Sequence, residues 1–218
     1  WPEGVPRALV FPDKTLPEFL SDHARQTPEK VAFNFYGREI PFREFDRRTS
    51  QLARALIDFG LKKGDRVSLF LENSPQFVIG YFAILKAGGV VVAANPMFKE
   101  EELKYELMDA GARIIIAQDI LYPKLMNVRE EAGLSHVILT SYRDYLPASP
   151  SFPPHPSMRA PKERFPETLD LLEVMESYRP EQVNIPINLR EDLALLQYTS
   201  GTTGLPKGAM ITHFSLLT

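Results

Sequence analysis

The sequence contains no cysteine. That absence excludes disulfides, thiolate catalysis and cysteine-ligated zinc, and it fits the expectation of a cytoplasmic protein. Histidine is scarce too. His23, His136, His155 and His213 are scattered, with no pair at the spacing that presents two metal ligands on one helix face. The charge is nearly balanced, with 25 Lys and Arg against 28 Asp and Glu and a formal net charge of −3. Without clustered positive charge there is no electrostatic basis for gripping a nucleic-acid backbone, so no nucleic-acid partner is expected. The amino terminus, WPEGVPRALV, lacks the basic start, apolar run and small-residue cleavage site of a secretory signal. The most apolar stretch, Phe77 to Ala94, is broken by Lys86 and by Gly88-Gly89. A membrane span needs about 20 apolar residues with few charges, so this stretch reads as a buried helix, a glycine stop and a buried strand. No amphipathic anchor stands out, and peripheral contact with a membrane stays open.

What is present is an ordinary globular composition: 218 residues, 44% hydrophobic and 24% charged, enough for one large domain or two small ones. Residues 31–42, VAFNFYGREIPF, predict a hairpin turning at Tyr36-Gly37-Arg38. Phe45, Thr49, Leu52, Leu56 and Phe59 form an apolar stripe at helical spacing, ended by Gly60. A rhythm of strand and helix then begins. Arg66 to Leu71 reads as a strand, and Ser74 with Pro75 starts a helix running to about Ala87. Val90 to Ala94 is an all-apolar strand of the type covered on both faces. Further helices are predicted at 99–109 and 122–132, each ended by a glycine, and further strands at 113–117 and 136–140. The alternation predicts an α/β fold, a mostly parallel sheet flanked by helices.

The rhythm breaks at residues 147–166, which hold seven prolines and read as an irregular surface segment. A short helix at 168–177 and strands at 192–198 and 207–211 follow, with Thr212 placed to cap a helix beginning HFSLL. The chain stops inside that predicted helix and is expected to belong to something longer. Residues 1–190 are expected to form an N-terminal α/β subdomain, and 191–218 to open a second sheet carrying a loop of special composition.

That loop is YTSGTTGLPKG, Tyr198 to Gly208. Thr199, Ser200, Thr202 and Thr203 put four hydroxyls within five positions, Gly201, Gly204 and Gly208 punctuate them, and Lys207 closes the run. Such a composition suits a polyphosphate. Glycines let backbone N–H groups approach closely, hydroxyls donate to phosphate oxygens or ligate magnesium, and lysine adds a point charge. It is not a Walker A loop. The fifth position after Gly201 is Pro206, Lys207 is followed by Gly208, and the loop joins two predicted strands rather than a strand and a helix.

The full string resembles the phosphate-loop signature of the adenylate-forming superfamily: acyl-CoA synthetases, aryl-CoA ligases, firefly-type luciferases and peptide-synthetase adenylation domains. Ile40 to Phe45, IPFREF, is similar to an early family motif, with Phe42 and Phe45 where Tyr and Leu are usual. Leu85 to Pro96, LKAGGVVVAANP, is similar to a second motif, and NPMFKEEELKYELMDAGARIII resembles the fatty-acyl-CoA ligase branch. The resemblance implies the N-terminal part of the adenylate-forming fold and ATP-dependent activation of a medium- or long-chain fatty acid. An acyl-adenylate forms, and then an acyl-CoA thioester. ATP, magnesium and coenzyme A are the implied cofactor and cosubstrates. For the loop it implies phosphate donors at Thr199, Ser200, Thr202 and Thr203, backbone approach at Gly201 and Gly204, charge from Lys207, and a magnesium ligand at Thr199. The family's magnesium-holding glutamate, ribose-binding aspartate, adenine-binding strand and catalytic lysine are not among these residues. No catalytic residue is therefore assigned, and residues 1–218 alone are expected not to complete adenylation. An aryl-CoA ligase, a luciferase-like enzyme and a non-catalytic interaction module stay open as alternatives.

Beside the loop, Tyr198 reads as a packing residue and His213 as a capping or packing group. Lys86 reads as a helix C-terminal charge, and Glu44 as a surface or ion-paired residue.

Overall fold

The computed structural model of the protein describes residues 2, 4, 5, 7, 11–199 and 206–218. The first helix, α1 (Leu16–Gln26), is started by a reciprocal cap in which Thr15 and Glu18 satisfy each other's backbone N–H groups. The predicted hairpin forms as β1 (Val31–Phe35) and β2 (Arg38–Pro41), with Tyr36 and Gly37 both at positive φ in the turn. Helix α2 (Phe42–Asp58) buries Phe45, Thr49, Leu52 and Leu56, four of the five predicted stripe residues.

The βα rhythm continues through β3 (Arg66–Phe70), α3 (Pro75–Lys86), β4 (Val90–Ala93), α4 (Glu100–Ala110), β5 (Ile114–Gln118), α5 (Tyr122–Met126) and β6 (His136–Thr140). Ser74 accepts the Phe77 N–H at the start of α3. Helix α4 ends in a Schellman motif. Gly111 takes the left-handed conformation, Gly111 N–H bonds to Met108 O, and Ala112 N–H bonds to Leu107 O. The segment after Tyr145 is irregular apart from a 3₁₀ turn at Pro156–Arg159. It docks on the hairpin: Ser151 N–H reaches Tyr36 O at 2.9 Å, and the Phe152 ring lies 4.3 Å from that of Tyr36. The short strand β7 (Leu169–Asp170), α6 (Leu171–Glu176), β8 (Leu193–Thr199) and β9 (Lys207–Thr212) complete the elements.

Seven strands form one sheet in the order β7-β6-β5-β3-β4-β8-β9, parallel throughout except for the antiparallel pair β8–β9. Side chains alternate between two cores. Val67, Leu69, Val91, Ile114, Ile116, Ile138 and Leu195 face the layer with α1, α2, α3 and α6. Phe70, Val92, Ile115, Ala117, Val137, Leu139 and Leu196 face the layer with α4 and α5. The chain steps from β3 to β4 on one side, then returns past β3 to place β5 on the other. This reversal is the switch point at which open α/β sheets place ligands, outside the carboxyl ends of the strands.

Three expectations need correction. Residues 191–218 do not open a second sheet. β8 pairs in parallel with β4 through Val91↔Leu195 and Val92↔Leu196 and so extends the first one. The predicted helix 122–132 is α-helical only to Met126. Beyond Met126 the backbone bonds are mixed, with three-residue steps at Val128 N–H to Leu125 O and Gly133 N–H to Glu130 O and a four-residue step at Ala132 N–H to Val128 O, so no regular ladder continues. Residues Phe214–Leu216 form a 3₁₀ turn, with Thr212 Oγ1 accepting the Ser215 N–H at 3.2 Å. Lys86 is more than a dipole charge. Its ammonium, on a side chain only 8% exposed, bonds Asp46 Oδ1 at 2.7 Å and Ser50 Oγ at 2.9 Å, tying α3 to α2. Burial pulls its pKa below the usual lysine value, and the Asp46 carboxylate counters that pull. Glu44 is paired with Arg38 at 3.4 Å. No helix among the described residues is long and apolar enough to cross a membrane.

Gly88, in the predicted glycine stop, has φ +73, and a Cβ there would lie 2.7 Å from Ile185 Cγ2. Gly133 has a similar φ of +65 but open space around it. Gly133→Ala should therefore cost only the left-handed strain, about 1–2 kcal/mol. Gly88→Ala should cost about 1–3 kcal/mol more from overpacking, seen as a larger fall in the urea midpoint at unchanged m-value.

Candidate functional site

The site is built on the β8–β9 hairpin. Because β8 runs parallel to β4, its last residue, Thr199, emerges at the same sheet edge as the carboxyl ends of β3 to β6. The hairpin register pairs Leu193 with Thr212 at the far end and Thr199 with Lys207 at the mouth. Thr199 and Lys207 are both exposed, and neither side chain has a hydrogen-bond or ion-pair partner among the described residues. A hydroxyl and an ammonium therefore stand side by side at the sheet edge, a donor set that suits a phosphate. Ser200, Gly201, Thr202, Thr203 and Gly204 lie outside the described residues.

The base of the hairpin is held from one side by α4. Tyr198 pairs with Gly208 across the strands, and its ring covers the glycine so closely that a Cβ at 208 would sit 3.1 Å from it. The Tyr198 hydroxyl donates to Asp109 Oδ2 at 2.5 Å. Burial, reinforced by that carboxylate, holds the phenol well above its usual pKa. Tyr198 thus packs as expected and also carries a polar bond. One helical turn from Asp109, the Tyr105 hydroxyl donates to Pro206 O at 3.1 Å. Between them Glu106 is buried, 1% exposed, with neither carboxylate oxygen hydrogen-bonded among the described residues. Burial pushes its carboxyl up to about 7. Sequence reasoning passed over Tyr105, Glu106 and Asp109. The available signal was the i,i+4 spacing of Tyr105 and Asp109, which puts them on one helix face.

On the opposite side His213 is 2% exposed, and its Nδ1 has no hydrogen-bond partner among the described residues. Burial holds its pKa below the usual histidine value. Its neighbourhood is structural: His213 N–H bonds Asp192 O at 3.2 Å, and Asp192 is paired with Lys63 at 2.6 Å.

A model of the AMP-binding enzyme family matches residues 20–218. The chain belongs to this family. Its relatives agree in detail. It is 40% identical over 226 aligned residues to a long-chain-fatty-acid–CoA ligase of Bacillus subtilis, and 36% identical over 226 to one of Salmonella typhimurium. Both alignments cover 100% of this chain and 40% of the relative, so the chain spans two fifths of the length of these family members. Among solved structures, a long-chain-fatty-acid–CoA ligase from Archaeoglobus fulgidus superposes with a TM-score of 0.77 at 28% identity, over 96% of this chain and 39% of that one. The family fold is therefore the mostly parallel, helix-flanked N-terminal architecture described above.

Glu106 has a pH signature. Its carboxyl titrates near 7 in the fold, above the 4.5 of an unburdened glutamate, so its contribution to stability is complete below about pH 4.5 and is lost as pH rises through about 7. Glu106→Gln should therefore stabilise the protein by about 2–3 kcal/mol more at pH 8 than at pH 5 in urea unfolding. An equal effect at both pH values would mean that the buried carboxyl is already ionised at pH 5.

Proposed function

We propose that the complete protein is an ATP-dependent ligase that joins a long-chain fatty acid to coenzyme A through an acyl-adenylate. The observation that supports this reading is the string YTSGTTGLPKG together with its described flanks, Thr199 and Lys207, which stand at the carboxyl edge of the sheet with no side-chain partner among the described residues. That the relatives matching 96–100% of the chain are named long-chain-fatty-acid–CoA ligases supports a fatty acid as the carboxylate.

In the first step a carboxylate oxygen attacks the α-phosphorus of ATP. The bond to the β-phosphate bridge oxygen breaks and pyrophosphate leaves. In the second, the thiol of coenzyme A attacks the acyl carbon, AMP departs, and the thiol proton is released. The task of this region lies in the first step. The Lys207 ammonium, with the hydroxyls of Thr199, Ser200, Thr202 and Thr203, holds the β- and γ-phosphates. Gly201 and Gly204 let the backbone close on them, which orients the α-phosphorus and steadies the charge that accumulates on the leaving pyrophosphate. Magnesium would be held by the nucleotide phosphates with the Thr199 hydroxyl as one neutral oxygen ligand, and it would offset phosphate charge there.

The reading is tested by pyrophosphate exchange with the full-length protein and fatty acids of graded chain length. Lys207→Ala should raise the KM for ATP by about 10- to 100-fold, the weight of a charge-assisted contact, and leave the KM for the fatty acid nearly unchanged. Exchange that no fatty acid supports, or an ATP dependence indifferent to Lys207, would overturn it.

A further inference from the structure

We propose that α4 is a brace for the phosphate loop, and that Tyr105 and Asp109 are positioning residues for ATP. The proposal rests on the reading of Tyr198–Gly208 as the triphosphate-binding loop.

The two arms of that loop are held by different chemistry from the same helix face. On the arm entering it, the Asp109 carboxylate accepts a hydrogen bond from the hydroxyl of Tyr198, the residue just before Thr199. On the arm leaving it, the Tyr105 hydroxyl is bonded to the carbonyl of Pro206, the residue just before Lys207. Proline has no N–H, so its carbonyl is the backbone polar group by which that position can be tied. Four residues along a helix rise about 6 Å. Pro206 lies two residues from Gly208, the pairing partner of Tyr198, a step of about 6.6 Å along a strand, so one helix face can make one bond to each arm. Both bonds are long-range, spanning 89 and 101 residues. They tie a helix on one face of the sheet to the end of β8 and to the residue before the edge strand β9.

The helix is itself fixed. Leu103, Leu107 and Ala110 are buried in the sheet-facing core. Arg66, at the start of β3, donates Nε–H to Ala110 O at 2.5 Å and Nη2–H to Gly111 O at 3.4 Å. The position of the arms is thus referred to the central strand of the sheet through α4. A third contact closes the arrangement: the Tyr198 ring, oriented by Asp109, covers Gly208 on the opposite arm. Asp109 acts on the ligand only through Tyr198, and Tyr105 only through the Pro206 carbonyl. Their effect is to hold the arms at the separation the loop donors need before ATP arrives, which lowers the ordering cost of binding.

The test measures steady-state pyrophosphate exchange and ATP binding by calorimetry on full-length Tyr105→Phe, Asp109→Ala, Asp109→Asn and Lys207→Ala variants. Tyr105→Phe removes only a hydroxyl and Asp109→Asn keeps an acceptor for Tyr198, so both report even where Asp109→Ala fails to fold. Tyr105→Phe and Asp109→Ala should each raise the KM and Kd for ATP about three- to tenfold, with the KM for the fatty acid unchanged, and Asp109→Asn should restore most of the loss. Parental ATP constants in Tyr105→Phe and Asp109→Ala alongside a damaged Lys207→Ala would overturn the brace and leave the loop reading standing. So would equal losses for ATP and fatty acid, the mark of general destabilisation. Parental ATP constants in Lys207→Ala as well would overturn both.

Discussion

The parallel pairing of β8 with β4 is the constraint on which the site depends. It is short, with Val91↔Leu195 and Val92↔Leu196 as its register pairs. Yet it decides which way every side chain of β8 points. In this register Leu195 enters the core beneath α2 and α3, while Leu196 and Tyr198 enter the core beneath α4. A slip of one residue would exchange the faces, turn Tyr198 away from Asp109 and put Gln197 against α4. The apolar pairs hold that register because Val91, Val92 and Leu195 are buried and Leu196 packs, partly buried, against the opposite core. The same pairing sends the end of β8 to the carboxyl edge of the sheet.

Much of this was legible in the sequence because it is local. Ser74-Pro75 announced the start of α3, Gly111 the end of α4, and Tyr36-Gly37 the hairpin, each through the conformational demands of one or two residues. The loop composition was legible for the same reason. What the pattern could not supply was partnership. Nothing in LALLQYT says that its neighbour is VVVA, about a hundred residues earlier, and that is why a second sheet was expected where the first one continues. Tyr105 and Asp109 escaped notice likewise. A tyrosine and an aspartate on an amphipathic helix are unremarkable until the fold brings Pro206 and Tyr198 to them. The over-long prediction at 122–132 has a different cause. Its apolar residues satisfy part of a helical template, but beyond Met126 the backbone closes in separate turns rather than one ladder.

The charged groups divide by task in a way that follows from their surroundings. Lys86, Lys124 and Lys162 are engaged with Asp46, with the carbonyls of Pro96 and Phe98, and with Asp144 and Asp170, respectively. Each fastens one element to another, and each is shielded enough for its partner to matter. Lys207 is exposed, at the end of an edge strand, with no partner among the described residues. An ammonium in that position contributes little to the fold, and its removal should be felt by a ligand rather than by the core.

Glu106 is the counter-example that gives α4 its character. A buried carboxyl with no hydrogen-bond partner among the described residues costs stability wherever it is charged, and a glutamine or an apolar residue would pack there more cheaply. Its neighbours on the same helix, Tyr105 and Asp109, spend their polar groups on the two arms of the hairpin. The helix thus turns Tyr105 and Asp109 towards the β8–β9 hairpin, while Leu103, Leu107 and Ala110 hold it to the core. Its apolar stripe alone would be enough to cover the strands. The polar residues beside that stripe meet Tyr198 and Pro206, so α4 covers the sheet with one face and fastens the two arms of the hairpin with the adjacent one.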